Sequence, residues 1–141
     1  MANVDPNARI NLTKASVLLV DGSQHSLDVI AQILKGFGVP TVHRFDNLAE
    51  ANKFLRQRTA DLFVIDPSIE DGAGYDCISE LRHSARPNAT MPVILVSGHV
   101  RKADVARARD SGANFVVAKP LAPAVLLQRL LWVAKDKRPF V

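Results

Sequence analysis

A chain of 141 residues, 48% of them apolar, suits one globular domain with a full core and excludes a disordered segment. Eighteen Lys and Arg against fourteen Asp and Glu leave a net charge of +4, which admits anionic partners without selecting any. The N-terminal stretch lacks the apolar run of a secretory signal, and the longest apolar runs are strand-length, far short of the roughly 20 residues of a membrane helix. A cytoplasmic protein with no membrane contact is therefore expected. The single cysteine, Cys77, excludes an internal disulfide and fits a reducing compartment. Its place on a predicted helix makes it an inert, half-buried thiol.

A polar leader covers residues 1–14, and after it apolar runs and helical patterns alternate. Residues 16–20, SVLLV, read as a first strand. Over residues 26–37, Leu27, Ile30, Ala31, Ile33, Leu34 and Phe37 fall on one helical face, and Gly38 is placed to stop the helix. TVHRF, residues 41–45, is a second strand, and His43 and Arg44 mark it as an edge. Residues 47–58 form a second helix, with Asn47 as N-cap and Leu48, Ala51, Phe54 and Leu55 facing inward. LFVI, residues 62–65, is a third strand, fully apolar. The third helix spans about 74–84 and carries Tyr75, Ile78 and Leu81. PVILVS is the fourth strand, and the fourth helix, 100–111, is short of apolar residues. NFVVA is the fifth strand and 122–134 the fifth helix. The domain thus spans residues 15–134, followed by a tail over 135–141. Five strand–helix repeats imply a doubly wound, five-stranded parallel sheet, because parallel neighbours need crossover connections. Strands one, three, four and five are apolar throughout, as strands covered on both faces must be.

The polar residues fall in a positional pattern. Asp21 ends the first strand, Asp66 the third, Ser97 the fourth and Lys119 the fifth. In an open α/β sheet, sites form beyond the carboxyl ends of the strands. Each residue alone is an ordinary loop residue; the four together aim two carboxylates, a hydroxyl and an ammonium at one crevice. A carboxylate is a competent nucleophile toward phosphorus. Phosphoryl transfer requires positive charge around the equatorial oxygens, commonly a magnesium ion with Lys or Arg. Magnesium takes hard oxygen ligands and keeps several waters, so one or two carboxylates suffice. Lys119 is suited to pair with a phosphoryl oxygen and Ser97 to donate to another, and Gly98 leaves room for the incoming group. The residues fit an aspartyl-phosphate site.

With these residues in view, the chain resembles a response-regulator receiver domain of the chemotaxis-regulator type. VLLVDG resembles the first strand and its acid, DLFVIDPSIEDGAGYD the phosphoacceptor strand and loop, MPVILVSG the strand with the switch hydroxyl, and GANFVVAKPL the Lys-Pro strand end. The resemblance implies a flavodoxin-like receiver fold and a phosphorelay module rather than a conventional enzyme, one that at most catalyses its own phosphorylation and dephosphorylation. It implies Asp66 as phosphoacceptor, Ser97 as switch hydroxyl and Lys119 as phosphate-pairing cation. It further implies a magnesium ion held by Asp21, Asp66 and the Ser68 carbonyl, a cis Lys119–Pro120 bond, and a histidine kinase or phosphotransfer protein as donor.

The sequence departs from the family pattern at three places. Gly22 stands where a second acid is usual, which weakens the expected magnesium binding; Glu70 or Asp71 are candidates to compensate, although a solvated acidic loop is the simpler expectation. Val116 stands where a rotating aromatic is usual, and Phe115, one place earlier, points to the opposite face and is expected in the core. The tails lie outside the repeats, so the chain is either a stand-alone receiver or a piece of a longer protein. A degenerate receiver, acting as a phosphorylation-independent protein- or nucleotide-binding module, is the alternative reading. On the fifth helix Leu126, Leu127, Leu130, Leu131 and Val133 form the inward arc, while Val125 and Trp132 lie together on the other side. With Arg107 and Arg109 of the fourth helix they mark a candidate interface for a partner or a second copy, through helix four, strand five and helix five. Helix four interleaves no aromatics with its cations, so nucleic acid is not an expected partner. His25, His43, His83 and His99 lack metal-ligand spacing.

Overall fold

The structure, a computed structural model, describes residues 12–98 and 100–135. A 3-10 turn (Leu12–Lys14) leads into β1 (Ser16–Val20), α1 (Gln24–Gly36), β2 (Thr41–Phe45), α2 (Leu48–Gln57), β3 (Leu62–Ile65) and α3 (Ile69–Arg82). A second 3-10 turn (Pro87–Thr90) precedes β4 (Val93–Ser97), α4 (Lys102–Ser111), β5 (Phe115–Ala118) and α5 (Pro123–Lys135). All neighbouring strands pair in parallel, in the order β2-β1-β3-β4-β5. The doubly wound five-stranded sheet read from the repeats is therefore present, with β2 at one edge and β5 at the other. Among the described residues no helix is long and apolar enough to cross a membrane.

Alternation along each strand splits the core into two layers. Val17, Leu19, Val64, Ile94, Val96 and Val117 face α1 and α5, which contribute Leu27, Ile30, Leu34, Leu126, Leu130 and Val133. Leu18, Val20, Phe63, Ile65, Val93 and Leu95 face the other way, against Ala51, Phe54, Ile78, Leu81 and Ala108 of α2, α3 and α4. On α5, Leu127 and Leu131 are only half-buried. Ile33 and Phe37 of α1 are likewise half-buried and pack on the rim of the first layer.

Several helix ends differ from the sequence expectation, each for a local reason. α1 starts two residues early because the Ser23 hydroxyl caps it, accepting from Ser26 N at 3.2 Å. α4 starts two residues late, at Lys102, because Asp104 turns back to accept from Arg101 N at 3.1 Å. The largest difference is α3, which begins at Ile69 but is interrupted by three left-handed residues: Glu70 (φ 50°), Asp71 (φ 60°) and Gly72 (φ 93°). Left-handed geometry costs roughly 1–2 kcal/mol at each residue with a Cβ, so neighbouring contacts must hold this turn. One is the close fold-back of the loop, where a Cβ on Gly74 would lie 2.7 Å from Pro67 Cα. Right-handed helix resumes only after Gly72, close to the expected start at 74.

Candidate functional site

The site is built by the strand ends. The strand order reverses between β1 and β3, and the crevice lies beyond their carboxyl ends. Asp21, Asp66 and Lys119 each follow a strand directly and are tied by their own N–H to a neighbouring strand, and Ser97 is the last residue of β4. Asp21 N donates to Phe45 O (3.2 Å), Asp66 N to Val20 O (3.0 Å) and Lys119 N to Ser97 O (2.9 Å). The side chains are thereby aimed by the sheet rather than by loops.

Lys119 joins the two acids. Its Nζ donates to Asp21 Oδ2 at 2.8 Å and to Asp66 Oδ2 at 2.7 Å. Asp21 is 2% exposed and Asp66 8%. Two carboxylates and one ammonium leave one net negative charge in the crevice. Burial alone pushes the Asp66 carboxyl upward, but the hydrogen bonds from Lys119 and Ser68 outweigh it and hold the group below its ordinary value. Burial likewise pulls Lys119 down, and its bonds to Asp21 and Asp66 more than reverse that, so it remains an ammonium. The acid at the end of β3 is thus ionised and oriented at neutral pH, as a nucleophile must be.

The remaining oxygens are fixed by two matching turns. Asp21 Oδ1 accepts from Ser23 N at 2.9 Å, and Asp66 Oδ1 accepts from Ser68 N at 2.9 Å and from the Ser68 hydroxyl at 2.7 Å. Both are Asp-x-Ser turns, in which an aspartate accepts from the backbone two residues on. The repeat was readable in DGS and DPS, yet the Ser68 hydroxyl was not singled out from the sequence. Ser97 is buried at the end of β4, and around Gly98 a Cβ would meet nothing within 4 Å, which leaves the space expected for an incoming group. The Lys119–Pro120 bond is cis, as the family resemblance implies. His99 lies outside the described residues.

The donor set suits magnesium: two carboxylates and the Ser68 carbonyl are hard oxygens, and the ion keeps several waters. Room for those waters exists beside Gly22, which is exposed and whose added Cβ would meet only Ile69 Cγ1, at 3.8 Å. Among the described residues no group of three or more His, Cys, Asp or Glu is placed to hold a metal. Glu70 is exposed, as expected of a solvated acid, but its Oε2 also accepts from Leu48 N, the first N–H of α2, at 2.7 Å. It is committed to the positive end of that helix. Asp71 remains exposed.

One cavity adjoins the site and a second lies on the face of α4, β5 and α5. The first, of about 410 Å³, lies between α1 and the end of β5, lined by His25, Ser26, Val29, Ile30, Lys119 and Leu121 among others. The other, about 390 Å³, runs between α4, β5 and α5 and is lined by Val100, Val105, Arg109, Phe115, Arg129 and Trp132 among others. Four large apolar residues are exposed among those described, and three of them, Val100, Val105 and Trp132, line this groove. Phe115, expected in the core, lies at its rim, packed against the layer of α1 and α5. It is half-buried, its ring 5.8 Å from that of Trp132, and the Arg129 guanidinium lies 4.6 Å from the Trp132 ring. Two other interface candidates sit elsewhere. Val125 is exposed but does not line the groove, and Arg107 lies on the opposite flank of α4, over Tyr75. Cys77 is buried, not half-buried; burial and the nearby Glu80 and Glu70 raise its thiol to about 11, so it is inert. Of the described histidines, His25 lines the cavity at Lys119. His43 packs on the Phe54 ring, and His83 Nδ1 bonds Ser79 O.

A family model described as the response regulator receiver domain matches residues 17–131. Over 117 residues the chain is 30% identical to the transcriptional regulatory protein GltR of Pseudomonas aeruginosa, covering 82% of this chain and 47% of that protein. It is 26% identical over 115 residues to chemotaxis protein CheY1 of Helicobacter pylori, covering 81% and 92%. The signal receiver domain of a signal transduction histidine kinase from Syntrophus aciditrophicus superposes with a TM-score of 0.73 at 28% identity, covering 89% of this chain and 96% of that one. The chain spans about half the length of GltR, and likewise of the KDP operon transcriptional regulatory protein KdpE of Escherichia coli, to which it is 29% identical.

Proposed function

The chain belongs to the response regulator receiver family and is a signalling module of two-component systems, and from that premise we propose that Asp66 is its phosphoacceptor. One observation carries the assignment: Asp66 is the ionised carboxylate that Lys119 and Ser68 orient at the switch point of the sheet. Its Oδ1 already accepts two hydrogen bonds, whereas Oδ2 accepts one and keeps a lone pair. Oδ2 is the attacking oxygen. It forms the P–O bond as the P–N bond of a donor phosphohistidine breaks, and the departing imidazole takes up a proton. Lys119 moves its pairing from the carboxylate to a phosphoryl oxygen, and Ser97 donates to another.

Asp21, Asp66 and the Ser68 carbonyl would hold the magnesium ion, which supplies positive charge against the phosphoryl oxygens when bound. Gly22 contributes no ligand and Glu70 is engaged at α2, so binding of the ion is weak. The donor is a histidine kinase or phosphotransfer protein, and the apolar cavity between α1 and the end of β5 gives it a surface next to Lys119. The signal leaves through the groove of α4, β5 and α5, where a partner or a second copy docks with Trp132 as anchor. Clustering of three exposed apolar residues in one groove supports that surface. The test is mass spectrometry after incubation with magnesium and a small phosphodonor. The wild type gains one phosphoryl mass and Asp66→Asn gains none. A wild type that stays unmodified by both small donors and kinases refutes the reading.

A further inference from the structure

α4 is weakly held to the body of the domain. It buries only Ala108 and Ser111, and Val105 in its middle is 45% exposed. One of its side chains nevertheless reaches the phosphoacceptor loop. The Arg107 guanidinium carbon lies 4.2 Å from the centre of the Tyr75 ring. The same guanidinium lies along Gly72, where an added methyl would come within 3.7 Å of Nη1. Gly72 closes the left-handed turn of residues 70–72, and its N–H donates to Ser68 O at 3.2 Å. Ser68 in turn holds Asp66 through both its N–H and its hydroxyl. Hydrogen bonds therefore run from the acid through Ser68 to Gly72, and the Arg107 guanidinium lies beside the space that a side chain at Gly72 would enter. The other α4 cations with described partners are turned elsewhere: Arg101 pairs with Asp104, and Arg109 pairs with Asp110 and lines the groove beside Trp132.

We propose that Arg107 is a positioning residue that clasps the phosphoacceptor loop to α4, and that it transmits the state of Asp66 to the groove beside Trp132. The proposal deepens the reading of Asp66 as phosphoacceptor and rests on it. The residue type fits the task, because a planar guanidinium stacks on an aromatic face and stays charged throughout. Such a contact at an exposed site is modest, so it is readily made and broken, as a switching contact must be. Tyr75 also lies within the field of the acceptor. Burial raises its hydroxyl, Asp104 adds to the rise, Arg107 opposes it and Asp66 adds to it again. Phosphorylation increases the negative charge at Asp66 and displaces the Ser68–Gly72 loop that Arg107 grips. Helix α4 follows, and with it Val105 and Arg109, which share the groove with Trp132. The clasp does what a rotating aromatic on β5 cannot do here, since that place is Val116.

Trp132 is the sole tryptophan of the chain, so its emission reports this groove alone. The experiment follows phosphoryl mass and Trp132 emission together, in the 141-residue chain given magnesium and acetyl phosphate. The wild type gains the mass with a parallel change in emission. Arg107→Ala and Tyr75→Leu gain the mass but lose the emission change. Tyr75→Phe, which keeps the ring, retains it, and a purely structural role would not separate those two Tyr75 variants. Should Arg107→Ala fail to fold, the Tyr75 pair carries the test. A phosphorylated wild type without an emission change overturns the proposal, as does a phosphorylated Arg107→Ala or Tyr75→Leu that responds fully. A wild type that gains no mass overturns the phosphoacceptor reading, and the clasp with it.

Discussion

Replacing Lys119 by methionine keeps the stem of the side chain and removes its charge. In the wild type the ammonium bonds Asp21 and Asp66 at 2.8 and 2.7 Å. The two acid side chains are 3% and 10% exposed, and Lys119 is 24% exposed. Lys119→Met leaves both carboxylates in the crevice with no cation between them. Removing one partner of a buried pair costs about 3–5 kcal/mol, and the partial exposure of Lys119 places the loss near the lower end, about 3 kcal/mol. For a domain of this length that lowers the melting temperature by roughly 10 °C. The loss depends on pH in a definite direction. The folded-state pKa of Asp66 is depressed, so its contribution is present above the ordinary carboxylate value and disappears as the pH falls through the folded one. The pKa of Lys119 is raised, so its contribution is present below the ordinary lysine value and disappears only as the pH rises through its folded one. Both contributions are full near neutrality. Thermal unfolding followed by circular dichroism should therefore show the full gap between wild type and Lys119→Met at about pH 7, narrowing below about pH 4 as the carboxylates protonate. Equal melting temperatures at neutral pH, or a gap that widens on acidification, would refute this account of the crevice.

A unit charge about 4 Å from a divalent ion gains about 2 kcal/mol in water-like surroundings, and Gly22 has open space for a side chain. Gly22→Asp should therefore tighten magnesium binding about tenfold or more in a calorimetric titration; equal or tighter binding by the wild type would mean that another group already serves. Glu70→Ala removes the acceptor of the first α2 N–H and should cost about 1 kcal/mol in chemical denaturation, and an unchanged midpoint would show that water replaces the carboxylate at no cost. Trp132→Ala should weaken association at the α4–β5–α5 groove by about 2 kcal/mol or more, roughly thirtyfold, in sedimentation or pull-down measurements. A folded variant with unchanged association in both would move the search for the interface to α1 or the tails.

The sequence by itself determined the layered architecture, because period and composition are local. Runs such as VLLV and LFVI have no polar side and must be covered on both faces, and strand–helix alternation then leaves only a parallel sheet. It also brought Asp21 and Asp66 to one edge of the sheet, because strand ends are legible and strand ends are where an open sheet builds its site. Tertiary structure alone decided what those groups are bonded to. Lys119 lies far along the chain from both acids, and only the order β2-β1-β3-β4-β5 sets it between them. Glu70 looked like a loop acid because nothing near it in sequence needs a carboxylate; the N–H it satisfies belongs to Leu48, on another helix. Phe115 was expected inside because alternation fixes the face of the sheet, but alternation does not report how much helix covers that face. At the edge strand β5 the cover is incomplete, and the ring turns to Trp132 instead. Arg107 and Arg109 are two residues apart on α4 and therefore point to different flanks. Which flank met Tyr75 of α3 and which the open groove depended on the packing of α3 and α5 around them.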